Sequence, residues 1–207
     1  MNTFRLIPFA IICSIAPLHS QDKPTAKPDA SKPAETKPAT PAAPATPAAA
    51  SSLTVGSLTF TAPAPWTLKA EPRAMSAGGF SSPGKDGADA MEADFYQFGA
   101  KQGGDTEANI QRWQGQFEPA ADGALPAAAR EKIEIGGVKV LMVTLKGTYI
   151  GSSFARQKPK AAYAVTGVII PDTGGTIFVK VLGPETTVTA AKEDIKKLIG
   201  TGLAAKK

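Results

Sequence analysis

The chain has 207 residues and a formal net charge of +5, with 43% hydrophobic and 20% charged residues. Those proportions fit one domain of ordinary size, and they exclude a chain disordered throughout as well as a protein of many membrane spans. Its one Cys, Cys13, and its one His, His19, both lie within the first 20 residues. A chain that loses this segment holds no thiol and no imidazole. It can build no intramolecular disulfide, no Cys/His zinc site and no triad that needs a His base or a Cys nucleophile.

Residues 1–20 read as a signal peptide. Arg5 supplies a positive start, Leu6–Leu18 is apolar, and the small Ser20 precedes the polar Gln21. The apolar run has 13 residues and contains Pro8 and Pro17, too short for the roughly 20 residues of a spanning helix. Export to the periplasm or the exterior is therefore expected, without a transmembrane anchor. Cleavage is placed after Ser20, with Ala16 as the alternative. A lipid anchor at Cys13 would suit a tether, but Ile12 stands where a lipoprotein signal needs a small residue, so Cys13 is read as a passive part of the apolar run.

Residues 21–52 read as a disordered linker rich in Pro, Ala and Lys. Between Gln21 and Ala50 there are seven Pro, ten Ala and four Lys, with no aliphatic residue larger than Ala and no aromatic one. Such a segment buries nothing that could offset its backbone entropy. Pro at this spacing favours polyproline II, with a reach of at most ~90 Å at ~3.1 Å per residue. A passive spacer is the plain reading; a segment that threads or contacts the cell wall is the sharper one.

Apolar patterning then runs over residues 53–207 as a single globular domain. Leu53–Thr61, Trp66–Ala70, Arg73–Ser81 and Ala90–Phe98 are strand candidates, with a turn at Pro83–Gly87. Asp105 or Thr106 can cap a helix whose face carries Ile110, Trp113 and Phe117, and which Pro119 stops. Pro119–Ala129 is an irregular connection with room for a helical turn. Lys132–Ile135 and Val138–Ile150 flank Gly136-Gly137, a hairpin signal. Ala161–Ile170 and Thr176–Leu182 flank a second turn at Pro171–Gly175.

Val140-Leu141-Met142-Val143, Ile169-Ile170 and Ile177-Phe178-Val179 place apolar groups on adjacent positions. Strands of that kind are buried on both faces and need a cover on each. A last helix supplies one cover through Val188, Ala191, Ile195 and Leu198, with Thr186 or Thr187 as its cap and Gly200 or Gly202 as its end. The helix around Trp113 supplies the other. The expected class is α+β, an antiparallel β-sheet sandwiched between helices. The order of these elements, with Phe178-Val179-Lys180-Val181-Leu182-Gly183-Pro184 leading into the last helix, resembles the PsbP-like α/β/α fold, above all its uncharacterised bacterial exported branch. That resemblance implies a fold and carries over no catalytic residue; members of the superfamily bind different partners.

Candidate chemistry is sparse. Asp86, Asp89, Glu92 and Asp94 are dense in acid but lack the ligand spacing of a Ca²⁺ loop. Asp86-Gly87 reads as a turn, and Glu92 with Asp94 as a solvated strand face. Gly151-Ser152-Ser153-Phe154 is not a nucleophile elbow, although a Ser-Lys pair stays formally open. No cofactor, metal or catalytic residue is assigned, and the chain is read as not an enzyme. Trp66, Trp113 and Phe117 are read as core. The one basic cluster, Arg156, Lys158 and Lys160 with Lys146 before it, is placed on a ten-residue loop, Gly151–Lys160, as the candidate partner-binding site. An envelope protein or an anionic envelope polymer would suit it. Nucleic acid would not, since no aromatic residues interleave with the charges and residues 53–207 carry 18 Lys/Arg against 15 Asp/Glu, a net of only +3. The expected function is a non-catalytic binding or assembly module of the cell envelope. The alternatives are a periplasmic enzyme using carboxylate or Ser-Lys chemistry, and a carrier of a small apolar ligand. If residues 21–50 are a spacer, a chain beginning at Ser51 keeps the melting temperature of one beginning at Gln21; a clear drop in calorimetry would show that the spacer packs on the domain.

Overall fold

The computed structural model describes residues 51–84, 87–100 and 102–204. The expected signal peptide with Cys13, the expected linker up to residue 50, and Asp86 of the acidic turn lie outside the described residues. Two adjacent apolar patterns open the domain: β1 (Ser52–Val55) and β2 (Leu58–Thr61) pair as a hairpin of their own. A seven-stranded antiparallel sheet follows, built from β3 (Thr67–Leu68), β4 (Gly78–Ser82), β5 (Met91–Gln97), β6 (Ala129–Ile135), β7 (Val138–Ser152), β8 (Ala155–Ile170) and β9 (Ile177–Pro184). Its spatial order is β3-β4-β5-β9-β8-β7-β6. Helix α1 (Thr106–Gln114) lies between β5 and β6 in sequence, and α2 (Glu185–Ala190) and α3 (Lys192–Ala204) close the chain.

The adjacent apolar residues of β7, β8 and β9 divide between two cores, as a strand period of two requires. Val140, Met142, Ala164, Val168, Ile170, Ile177, Val179 and Val181 join Phe60, Phe80 and Phe95 under α2, α3 and the β1–β2 hairpin. Val143, Leu145, Tyr163, Val165, Ile169, Phe178 and Leu182 join Ile110, Trp113 and Phe117 under α1. The α+β sheet between helices is thus the observed architecture, and Trp66, Trp113 and Phe117 are all buried.

Several boundaries differ from those the sequence suggests. The strand expected over Arg73–Ser81 begins only at Gly78, because the backbone turns first: Ser76 N–H donates to Arg73 O and Met75 has φ 65°. The strand expected over Trp66–Ala70 shrinks to Thr67–Leu68. Asp105 caps α1 as expected, accepting from Ala108 N–H at 2.7 Å, but the helix ends at Gln114 rather than at Pro119. Phe117 is therefore not on the helix. It pairs with Tyr149 as an isolated bridge, and the Glu118 and Ile150 N–H groups complete the contact between this segment and the outer half of β7. The irregular stretch after Pro119 contains turns and no helix.

The C-terminal helix departs most. It breaks at Ala191 into α2 and α3, its start at Pro184 has no side-chain cap, and it runs through Gly200 and Gly202 to Ala204. Gly202 does not stop the helix because close packing, not a turn, selects it. A Cβ there would lie 2.5 Å from the Phe60 ring. The opposite core has a matching device at Gly167, where a Cβ would lie 2.0 Å from the Trp113 ring. Trp113 thus seats directly on the sheet backbone, with Phe178 edge-on at 6.5 Å. Trp113→Ala should cost ~3–5 kcal/mol in a denaturant titration, the usual range for deleting a buried Trp; a loss under about 1 kcal/mol would mean that α1 does not depend on this contact.

Candidate functional site

The basic cluster is on a strand, not on a loop. β7 continues to Ser152, β8 starts at Ala155, and only Ser153 and Phe154 form the turn. The polar, Pro-containing stretch has no apolar alternation to mark it as a strand. It is extended all the same, since a strand needs an apolar face only where something covers it. β9 leaves β8 at the Tyr163–Pro184 pair. From Ala162 back to Ala155 β8 pairs with β7 alone, and each of these residues is exposed. Register shifts between Gly147 and Gly151, with Ala162 at φ 53°, mark bulges that bend this part of the ribbon.

The three basic residues are not equivalent there. Lys160 Nζ lies 3.4 Å from Asp89 Oδ2 and 3.3 Å from Tyr163 Oη, and the Tyr163 hydroxyl donates to the same Asp89 carboxylate. The Tyr163 hydrogen bond, and after it Lys160, hold the Asp89 carboxyl below its ordinary value. Lys146 is similarly engaged, 3.0 Å from Glu185. Arg156 and Lys158 take part in no ion pair among the described residues. In the turn itself, two residues before Arg156, stands Phe154, 100% exposed. The sequence holds a signal for this that the local reading missed: no Asp or Glu occurs from Ile135 to Pro171, while Lys139, Lys146, Arg156, Lys158 and Lys160 all fall in that span.

A second polar cluster lies on the α1 side of the sheet, and there the expected solvated face is overturned. Asp94 is 2% exposed. Lys69 reaches it at 2.8 Å and Arg73 Nε at 2.9 Å, and the same two cations bind Glu92 at 3.0 and 2.7 Å. Their partners lie 19–25 residues away in sequence, beyond any local periodicity. Burial works to raise the Glu92 carboxyl, yet the hydrogen bonds from Lys69 and Arg73 keep it below its ordinary value. Directly across from Asp94 in the ladder is Lys180, itself 8% exposed. Its ammonium donates to the Gln116 side-chain oxygen and, at 2.9 Å, to Tyr149 Oη. Burial, with Arg73 adding repulsion against the pull of Asp94 and Glu92, brings Lys180 down to about 8.

This cluster is a fully partnered network. Among the described residues no group of three or more His, Cys, Asp or Glu is placed to hold a metal ion, and no Ser hydroxyl is hydrogen-bonded to a Lys. Two open grooves flank α2 and α3, about 230 and 270 Å³ in volume. The first is lined by Met142, Thr144, Thr166, Val188 and Lys192, the second by Trp66, Ser82, Met91 and Asp194. No helix of the described residues is long and apolar enough to cross a membrane.

No family profile matches the sequence, and no curated protein matches it. Among solved structures the chain is similar to PA94, a Pseudomonas aeruginosa protein of unknown function, at 11% identity and a TM-score of 0.41, over 73% of this chain and 94% of that one. It is also similar to the cyanobacterial PsbP of Synechocystis, at 10% identity and a TM-score of 0.42, over 78% of this chain and 98% of that one.

The ionic network sets two stability expectations. Asp94→Ala leaves the half-buried Lys69 and Arg73 with Glu92 alone and should cost ~1–3 kcal/mol, whereas Lys180→Met leaves Asp94 with both Lys69 and Arg73 and should be neutral or stabilising. The folded Lys180 sheds its proton above about 8, while an unfolded lysine keeps its own to near 10.4. The unfolded state therefore binds more protons from pH 8 upward, and stability should rise with pH over that window. Denaturant midpoints at pH 7.5 and about 9.5 check this, and Lys180→Met should abolish the rise.

Proposed function

We propose that the chain is an exported, non-catalytic binding or assembly module of the cell envelope, which meets its partner through the outer β7–β8 hairpin. The observation that carries this reading is the pairing of two cations without an ion pair among the described residues, Arg156 and Lys158, with a fully exposed Phe154 at the end of a two-stranded ribbon. An envelope protein or an anionic envelope polymer is the partner class such a surface suits. Lys160 is a weaker part of it than the sequence suggests, because Asp89 and Tyr163 already engage it.

Other features support binding over the alternatives. Glu92 is gripped by two cations and held below its ordinary value, the opposite of a carboxyl tuned to carry a proton near neutrality. Ser152 accepts from Ala155 N–H at the turn rather than facing a lysine, which speaks against Ser-Lys chemistry. The grooves beside α2 and α3 are open and partly charged, unlike the enclosed apolar cavity of a carrier.

Arg156→Ala/Lys158→Ala should fold with an unchanged melting temperature, since exposed charges contribute little to stability. It should be washed from isolated envelope fragments at lower salt than the wild type, because attraction between exposed charges is screened over ~8 Å at physiological ionic strength. Equal retention of the two proteins at low salt would place the interaction surface elsewhere.

A further inference from the structure

We propose that the outer β7–β8 hairpin docks on the surface of an anionic phospholipid bilayer, with the Phe154 ring set among the headgroups and Arg156 and Lys158 on lipid phosphates. This rests on the reading above that the hairpin is the binding surface, and it names the partner.

The argument begins at Phe154. A free anionic polymer would meet the cations but offers no apolar phase, and would leave the most exposed aromatic side chain of the described residues in water. A bilayer surface takes both groups at once: aromatic residues sit at the boundary between headgroups and acyl chains. The turn is narrow enough to enter it. Ser152, Ser153 and Ala155 flank Phe154, so one large side chain stands among small ones at the end of a two-stranded ribbon. At ~3.3 Å per residue, Arg156 and Lys158 follow ~7 and ~13 Å behind the tip. That is the depth of lipid phosphates when the ring lies ~5–10 Å below the headgroup surface, and the long stems of both cations let their heads adjust to it.

Charge agrees along the whole ribbon. No acidic residue lies between Ile135 and Pro171, so neither strand brings a carboxylate toward an anionic surface. Of the carboxylates that border the ribbon, Asp89 is occupied by Lys160 and Tyr163, and Glu118, bonded through its N–H to Thr148, lies farther from the tip than the Tyr149–Lys160 pair. Each cation near an anionic leaflet contributes about fivefold in affinity, and the ring about tenfold if half its apolar area leaves water. Together these give weak, reversible, salt-sensitive attachment, suited to a domain that visits a membrane without spanning it.

The test uses the full chain in the form the expressing cell accumulates, so that every variant shares the same N-terminus. Sedimentation is measured with vesicles of phosphatidylcholine alone and with about a third phosphatidylglycerol, an anionic fraction that favours basic segments. The wild type should pellet with the anionic vesicles only, and less as salt rises. Arg156→Ala/Lys158→Ala should weaken binding about 25-fold, and Phe154→Ser about tenfold with the salt dependence kept. Because Trp66 and Trp113 are buried, Phe154→Trp adds a reporter whose emission should shift to the blue on anionic vesicles and be quenched by brominated acyl chains. Binding that survives Phe154→Ser and the double variant, or a Phe154→Trp emission unmoved while the protein pellets, overturns the proposal. Loss of envelope-fragment retention in the double variant without any vesicle binding by the wild type also overturns it, while leaving the binding-module reading intact. Equal retention of wild type and double variant on fragments removes that reading as well.

Discussion

Three neighbouring strands that are apolar on both faces over the stretch they share govern this structure. β7, β8 and β9 carry buried apolar side chains on successive residues, so water must be excluded from both sides of the sheet at once. Everything else is arranged to supply the two covers. On one side a broken C-terminal helix and the β1–β2 hairpin close over the sheet, locked where the Phe60 ring fills the space above Gly202. On the other, the nine residues of α1 press Trp113 onto the bare backbone of Gly167. Large ring against missing side chain is the same solution on both faces, and it brings α3 close to the β1–β2 hairpin on one and α1 close to the sheet on the other.

α1 is too short to cover its whole face, and the charged network follows from that shortfall. Its core reaches β7, β8 and β9, but on β5 the same face presents Glu92, Asp94 and Tyr96, alternating with the apolar Ala93 and Phe95 that point to the other core. Lys69 and Arg73, from the segment after β3, fold over these carboxylates in place of a helix. Lys180 sits at the seam, on β9 where the apolar cover gives out, and borrows Gln116 and Tyr149 from the α1 side as partners. Lys180 therefore belongs to both parts of the face, to the apolar part through these hydrogen bonds and to the ionic part through its place opposite Asp94 in the ladder. Such a network fixes which strand and which register may occupy the seam, at a cost in desolvation that the apolar cores must offset.

This division also explains what the sequence could and could not reveal. Runs of adjacent apolar residues, the Gly136-Gly137 hairpin and the Asp105 cap are local features, and the fold class follows from them. The burial of Asp94 depends on cations far away along the chain, so its own neighbourhood reads as a solvated strand. Phe117 keeps the spacing of a helix face yet serves a strand edge, because the helix has already ended at Gln114 and the chain there pairs with β7 beyond the reach of β6. Gly200 and Gly202 read as terminators until Phe60 is in place. The outer half of β8 was hidden for a related reason: strand prediction looks for an apolar face, and this stretch has none to bury.

That outer half poses the last physical question, which is why a strand so exposed is tolerated at all. β9 stops pairing at Pro184, which has no N–H to give, and α2 begins at the next residue. β8 is thus left with an open edge, a template on which other chains could pair. Its residues meet that hazard in the ordinary way: Arg156, Lys158 and Lys160 repel like neighbours, Pro159 interrupts the row of donors, and the bulges near Ala162 twist the edge. Edge protection accounts for each of these residues without any partner. It does not account for Phe154, since an exposed aromatic ring at the tip of an open edge adds to the hazard that the flanking residues suppress. The ring is the one feature of the ribbon that folding and solubility both oppose, and an apolar phase at the tip is what would reconcile it with the charges behind it.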